Sequence, residues 1–330
     1  MKSKLKPFFL WRHLNKLRWL VLSLVLLMLI ALPFVHVYQT YVASFSYDLL
    51  DPTEKELFDI MYSLTSPLTD NPADELDAIK GNTWSGNFFG YQISDPLAVV
   101  GQTAASLSVY WPFVLSALLP VIFTLLFGRF YCGWICPATF LYELNTIAAL
   151  TLQRVGIRTG HRHFDRRLKY LVLLVGVVLS AISGSVLLSV IYPPAIVGRE
   201  LYFGIALGGA GAGLVFFVLT LLFDLLVSRR GFCRYLCPGG ALYSLLGRFR
   251  LFRIRRIVEN CNDCAKCNAV CEFGLDPLHD DFGQECNNCT ACIAVCPTDA
   301  LTFVTRLRDD ENQGPGHLGK KYKRLQSGAE

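Results

Sequence analysis

Apolar and polar positions divide this chain into long hydrophobic runs separated by charged or cysteine-bearing segments. A continuous apolar stretch of about 20 residues is long enough to cross the hydrocarbon core of a bilayer as a helix. Four stretches qualify, roughly Trp19 to Val37, Val109 to Gly128, Tyr170 to Ile191 and Gly204 to Val227. The pattern predicts an all-α membrane bundle of four transmembrane helices over residues 19–253, preceded by a basic N-terminus over residues 1–18. Beyond Arg255 the chain turns polar, which predicts a small second domain over 254–305 and a flexible polar tail over 306–330. The segment 39–107 is long for a simple connection and predicts short helices of its own, such as Pro52 to Leu64.

Composition agrees with a membrane protein: 53% of residues are hydrophobic and the mean hydropathy is +0.40. The net charge of +5 matters less than its placement. Lys and Arg in short loops stay on the cytoplasmic side, and of the 31 Lys and Arg all but Lys55, Lys80 and Arg199 fall on one side of the predicted spans. Both termini are therefore expected in the cytoplasm of a bacterial cell, with the chain passing the inner membrane several times. A basic start followed by an apolar stretch also fits a signal peptide, but cleavage would leave three spans and send the polar domain across the membrane. The outer loop 39–107 is acidic and is a candidate docking surface for an electron-transfer or reductase partner. Nothing in the chain points to nucleic acid.

The chain contains a duplication. Laying Arg129–Leu144 over Arg230–Leu245 without a gap matches arginine (Arg129, Arg230), both cysteines (Cys132 with Cys233, Cys136 with Cys237), proline (Pro137, Pro238), leucine, tyrosine and a second leucine. Each unit is a helical hairpin whose inward-running helix ends in Cys-x-x-x-Cys-Pro, at 132–137 and 233–238, so the two hairpins form a parallel repeat. If the helix runs on through each motif, cysteines four apart share one face, and Cys132, Cys136, Cys233 and Cys237 converge at the cytoplasmic edge. Free cysteine is often a buried small hydrophobe, but two copies of the same spaced pair argue for chemistry. A soft-metal site (copper included), a dithiol/disulfide relay and a quinone-proximal redox element all remain open.

Other residues in the spans read more plainly. Gly204, Gly208, Gly209 and Gly213 look like small-residue faces for close helix packing. Asp224 is an ionisable group near the inner end of the fourth span and a candidate proton relay, or else a partner for Arg229 or Arg230. Of the six histidines only His36 lies near a span, so the paired axial ligands of a haem b are missing and no haem b is expected. His36 is an interfacial residue, or lines a quinol pocket with Tyr110, Trp111, Arg199 or Glu200 near it in topology.

The polar domain carries the most specific signal. Cys261, Cys264, Cys267 and Cys271 are followed by Cys286, Cys289, Cys292 and Cys296, each run spaced C-x-x-C-x-x-C-x-x-x-C. This is the bacterial two-cluster pattern, in which the fourth cysteine of each run ligates the other cluster. One [4Fe–4S] cluster is therefore expected on Cys261, Cys264, Cys267 and Cys296, and a second on Cys286, Cys289, Cys292 and Cys271, within a small α+β ferredoxin domain of bacterial 2[4Fe–4S] type. Zinc does not explain two complete crossed runs. Glu272 stands where proline often follows the fourth cysteine, which bears on the surroundings of the cluster rather than on ligation.

The paired Cys-x-x-x-Cys-Pro motifs, Phe223–Val227 ahead of the second, Cys237–Tyr243 after it and the two cluster motifs together resemble the NapH subgroup of the NapH/NosR polyferredoxin-like membrane proteins. The resemblance runs from the first span to about Phe303. It implies a quinol-dehydrogenase component that exchanges electrons with the membrane quinone pool and passes them through two [4Fe–4S] clusters toward a respiratory reductase or a maturation system. A copper or metal reductase or a metallocentre-assembly protein using the four membrane-edge thiols is the main alternative, and a redox-sensing accessory protein is a third.

Overall fold

The computed structural model describes residues 8–67, 79–81, 85–88, 90–156, 160 and 162–305. The start of the basic N-terminus, Arg158, His161 and the tail 306–330 lie outside the described residues. The first element, α1 (Phe8–Ser44), has 37 residues and runs about 55 Å at 1.5 Å per residue. It contains the one described run long and apolar enough to cross a membrane, His13–Val42. The expected short helix follows as α2 (Pro52–Thr65), started by a capping box between Asp51 and Glu54 with proline at its first position.

The segment after α2 departs from an all-α reading. It forms a small antiparallel sheet, β1 (Ile79–Gly81), β2 (Ser85–Phe88) and β3 (Tyr91–Ser94), in sequence order. Strands of three or four residues in a glycine- and polar-rich stretch leave no mark on a hydropathy window of about 19 residues.

The three remaining apolar runs are interrupted helices, Trp111–Phe127, Leu168–Ser183 and Ala212–Leu226. Helix α3 (Pro96–Ser106) precedes them and starts at Asp95, whose Oδ1 accepts the Leu97 N–H at 2.8 Å. The second expected span divides into α4 (Trp111–Ser116) and α5 (Leu118–Phe127), where Pro120 lacks the N–H that would bond the Ser116 carbonyl. A short link, α6 (Phe130–Trp134), leads on to the 18-residue α7 (Pro137–Arg154). The third expected span, Tyr170 to Ile191, is not continuous. Helix α8 (Leu168–Ser183) stops at Gly184, a left-handed cap with φ 66°, followed by α9 (Leu188–Ile191) and α10 (Pro193–Ala206).

The fourth expected span, Gly204 to Val227, also breaks. Gly208, at φ +62°, turns the chain into α11 (Ala212–Leu226). Close packing is therefore found at Gly213, where a Cβ would collide with Glu200, and not at Gly204, whose nearest neighbour would be 3.9 Å away. A wide turn over Phe232–Leu236 leads to α12 (Pro238–Leu246). The chain then enters the polar domain through β4 (Phe252–Arg256), passes α13 (Lys266–Val270) and α14 (Ala291–Ala294), and returns on β5 (Leu301–Thr305), antiparallel to β4.

The centre of the helical domain lies where the starts of α3 and α10 meet. Helices α3 and α10 both open on proline after an extended residue, Asp95 and Tyr192. The Tyr192 hydroxyl donates to Asp95 Oδ2 at 2.7 Å. Leu97, Leu188, Ile196, Tyr142 and Ala241 are buried around this point in one core. The start of α12 closes it, because a Cβ on Gly239 would run into the Tyr192 ring. A ring held by a buried hydrogen bond does not give way easily. Gly239→Ala is thus expected to lower stability by about 1–3 kcal/mol through overpacking, whereas Gly204→Ala, with open space, costs nothing or gains up to about 1 kcal/mol. Thermal unfolding of the purified variants in detergent checks the contrast.

Candidate functional site

Each Cys-x-x-x-Cys-Pro motif forms an elbow, not the end of a helix. Proline forces the residue before it into an extended conformation and favours the first position of a helix. Cys136 (φ −63°, ψ 116°) and Cys237 (φ −62°, ψ 117°) accordingly share one backbone conformation at the starts of α7 and α12. The turn before each is matched too: the Cys136 N–H reaches the Tyr131 carbonyl at 2.9 Å, and the Cys237 N–H reaches that of Phe232 at 2.8 Å. The helix does not run through the motif as the spacing suggested, yet the thiols converge. Each of the four is within electrostatic reach of the other three. Burial pushes all four thiols up, Cys237 to about 12. Arg129 offsets this at Cys132, and Arg230 at Cys233.

The ferredoxin-like runs are also a matched pair. Asp263 and Ala265 between the first cysteines, and Asn288 and Thr290 between the later ones, have φ of 53°, 54°, 51° and 62°. Left-handed backbone at non-glycine residues is uncommon, and its alternation curls each loop so that thiols and amides face one interior point. Cys296 shares a cavity lining with Cys261, Cys264 and Cys267, while Cys271 lies with Cys286, Cys289 and Cys292. The fourth cysteine of each run thus sits with the other run. Soft thiols in fours, on loops curled about a common centre, fit an iron–sulfur cluster. The two sets differ in exposure: Cys286 and Cys292 are buried, Cys261 and Cys267 half-buried, and Cys264 exposed.

A seam of buried ion pairs joins the two regions. Arg129, 1% exposed, donates to Glu285 Oε2 at 2.6 Å, and Lys169 pairs with the same carboxylate. The Tyr170 hydroxyl donates to its other oxygen at 3.1 Å. In the second repeat Arg230, 2% exposed, donates to Glu272 at 2.6 Å and Glu143 at 3.0 Å. Arg18 of α1 meets Glu143 through two nitrogens at 2.5 and 2.9 Å. Each repeat therefore places the arginine that opens its motif on a glutamate adjoining a cysteine of one set, Glu285 beside Cys286 and Glu272 beside Cys271. Backbone contacts close the join, with Trp134 Nε1 donating to the Asn288 carbonyl at 3.0 Å and Arg250 to the Cys286 carbonyl at 3.2 Å. A Cβ on Gly133 would lie 2.6 Å from the Asn287 carbonyl oxygen.

Asp224 accepts the Phe232 N–H at 2.8 Å, which ties α11 to the turn entering the second motif. Its Oδ2 has no hydrogen-bond partner among the described residues. His36, near the C-terminal end of α1, packs its ring against Tyr202, 5.5 Å between centroids. Sequence reasoning passed over Asp95, which holds Tyr192, interacts with Tyr243 and lies within electrostatic reach of Tyr131. Asp-Pro ahead of an apolar run is a helix-start signal and marks the residue, though not its neighbours. Glu285 carried no signal beyond its place next to Cys286.

Curled cysteine loops on a two-stranded domain, docked onto apolar helices, define a ferredoxin-type iron–sulfur electron-transfer protein. A family described as a 4Fe-4S binding domain matches residues 109–147 and 210–257, the two segments that contain the Cys-x-x-x-Cys-Pro elbows. The chain is similar to the methylamine utilization ferredoxin-type protein MauN of Paracoccus denitrificans, 34% identical over 196 residues, 58% of this chain and 66% of that protein. It is 33% identical over 208 residues to the ferredoxin-type protein NapH of Haemophilus influenzae, 61% of this chain and 69% of that one. With NapH of Escherichia coli the figures are 30% over 184 residues, 54% and 60%. The chain thus spans about two thirds of the length of these relatives. No solved structure matches it. The chain belongs to the NapH/MauN family of ferredoxin-type proteins.

Removing one partner of a buried ion pair leaves an uncompensated charge and costs about 3–5 kcal/mol. Glu285→Gln, which strands Arg129 and Lys169, is expected to destabilise the join by that order, measured by thermal unfolding or by proteolysis of the C-terminal domain. The pH dependence has a definite sign. Burial alone would raise the Glu285 carboxyl, but Arg129 and Lys169 outweigh it and hold the group below its ordinary value of 4.5. Its stabilisation is therefore complete above pH 4.5 and disappears as pH falls through the lower folded value. An acid titration of domain docking should show that loss, and the Gln variant should lack it.

Proposed function

We propose that this protein is a membrane-bound electron-transfer subunit of a bacterial inner membrane that oxidises quinol and passes electrons one at a time to a respiratory reductase or similar partner. The observation that carries the reading is the buried seam, which ties both cysteine elbows at the ends of apolar helices to the loops bearing Cys271 and Cys286. In this reading Cys286, Cys289, Cys292 and Cys271 hold one [4Fe–4S] cluster, and Cys261, Cys264, Cys267 and Cys296 hold a second. Bound there, the clusters supply one-electron redox chemistry. The chain's own residues set the order. The Cys286 set lies against the helical domain, and the set containing exposed Cys264 faces outward, where a soluble partner can approach.

Membrane placement follows the same logic. Helix α1 carries the apolar span, and the ion-pair seam gathers Arg18, Arg129, Lys169 and Arg230 at one end of the helical domain, the end assigned to the cytoplasm. The α2 and β1–β3 segment would then lie outside, available to a partner. Two one-electron sites match the two electrons that a quinol releases with its two protons.

Anaerobic membranes containing the chain should develop the electron paramagnetic resonance signal of reduced clusters on adding quinol, and lose it on adding quinone. Clusters that dithionite reduces but quinol leaves oxidised would sink the quinol assignment. A Cys264→Ser variant separates the two ends of the path. It should still accept electrons from quinol at the inner set while partner reduction falls at least tenfold, and equal loss of both activities would contradict an inner-to-outer order of transfer.

A further inference from the structure

Two buried carboxyl groups stand beside the elbow thiols with no part yet in electron transfer. Asp95 is 5% and Asp224 6% exposed. Each uses one oxygen to accept a backbone N–H at 2.8 Å, that of Leu97 for Asp95 and of Phe232 for Asp224. Asp95 Oδ2 holds the Tyr192 hydroxyl, whereas Asp224 Oδ2 is buried without a hydrogen-bond partner among the described residues. Capping a helix or a turn accounts for one oxygen of each group. It does not explain why an ionisable side chain, unfavourable in apolar surroundings, stands there twice.

The surroundings of the two carboxyls match across the repeat. Tyr142 and Tyr243 occupy equivalent positions, as do Cys132 and Cys233. Tyr243 lies within electrostatic reach of Asp95 and Cys132, and Tyr142 within reach of Asp224 and Cys233. Each elbow thus groups its first thiol with a carboxyl and with a phenol from the other repeat. The carboxyls themselves are not copies of one another: Asp95 opens α3, while Asp224 lies in the last turn of α11 and aligns with Phe123. Duplication alone therefore does not account for them. Tyr131, Cys132 and Cys233 keep part of their surface open, so protein does not fill all the space beside the first thiols.

We propose that Asp95 and Asp224 are the two proton acceptors of quinol oxidation at the elbows, one for each repeat. This rests on the quinol reading above. A quinol that becomes quinone breaks two O–H bonds and gives up two electrons. The electrons leave one at a time for oxidised iron–sulfur centres, and each carboxylate takes one proton and becomes a neutral acid. An electron entering a dry interior adds negative charge, which a proton held beside it cancels. Tyr192 hydrogen-bonds Tyr131 as well as Asp95. A proton entering at half-buried Tyr131 therefore passes through Tyr192 to Asp95 Oδ2 and leaves both phenols neutral. At the second elbow the unpartnered Oδ2 of Asp224 is the acceptor atom. The titratable groups facing Asp95 are Tyr131, Cys132, Tyr192 and Tyr243, and those facing Asp224 are Tyr142, Arg230, Cys233 and Glu272.

In anaerobic membranes, quinol-driven reduction of the clusters is followed against pH for the unaltered chain, Asp95→Asn, Asp224→Asn and the double variant, with dithionite reduction measured alongside. Each single variant is expected to slow quinol-driven reduction by about tenfold or more, while dithionite still reduces every cluster. A protonated carboxyl accepts no further proton, so the unaltered rate falls as pH falls, and the double variant should show a flatter acid limb. Unchanged rates in the Asn variants, or an acid limb as steep in the double variant as in the unaltered chain, would overturn the proposal and leave the quinol reading standing. An unaltered chain whose clusters quinol leaves oxidised would remove both. If Asp95→Asn does not fold, Tyr192→Phe keeps the ring and removes only the relaying hydroxyl. It should slow quinol-driven reduction about as much, and a rate equal to that of the unaltered chain would overturn the assignment of Asp95.

Discussion

A glutamate buried between an arginine and a lysine holds this molecule together. Glu285 reaches the helical domain only because Arg129 and Lys169 meet it there, and those two cations are tolerable in a dry interior only because Glu285 arrives. Neither domain carries a balanced set of charges alone. The same holds in the second repeat, where Arg230 is shared by Glu143 of the helical domain and Glu272 of the ferredoxin-type domain, with Arg18 of α1 completing the set. Because Glu285 adjoins Cys286 and Glu272 adjoins Cys271, the pairing that fixes the domains also fixes how far that cysteine set stands from the elbows.

Duplication explains why the seam has two arms. Each repeat supplies an arginine, a turn with two cysteines and a proline that starts the next helix. Proline imposes the extended residue before it, and that places the second thiol of each motif at a helix start in both halves. The turns differ in detail, α-helical over Phe130–Trp134 and wider over Phe232–Leu236, yet they deliver Cys136 and Cys237 in the same conformation. Proline sets the backbone at the second thiol of each motif, and packing of the two repeats in one core brings the thiols together.

The interrupted helices have a related logic. Asp95 and Tyr192 each precede a proline-started helix, and their contact closes the middle of the helical domain directly behind the elbows. Backbone left without helical partners by such breaks is tolerated in apolar surroundings only where other protein groups satisfy it. Asp95 does this for the Leu97 N–H while its other oxygen holds Tyr192. These two helix starts therefore lie at the domain's centre, whereas the breaks at Gly184 and Gly208 are exposed.

Much of this was legible in the chain. Ligand type and spacing are local properties, so eight cysteines in two runs identified the ferredoxin-type loops, and the gapless match of Arg129–Leu144 with Arg230–Leu245 identified the duplication. Apolar runs located the helices, though not their breaks at Pro120, Gly184 and Gly208, because hydropathy averages over the few residues at which a backbone turns. The short sheet β1–β3 was lost in the same averaging. Tertiary structure alone decided which charge meets which. Glu285 and Arg129 are 156 residues apart, and Asp95 and Tyr192 are 97 apart. A pairing across that distance depends on where the whole chain places both ends, which no local pattern of residues records.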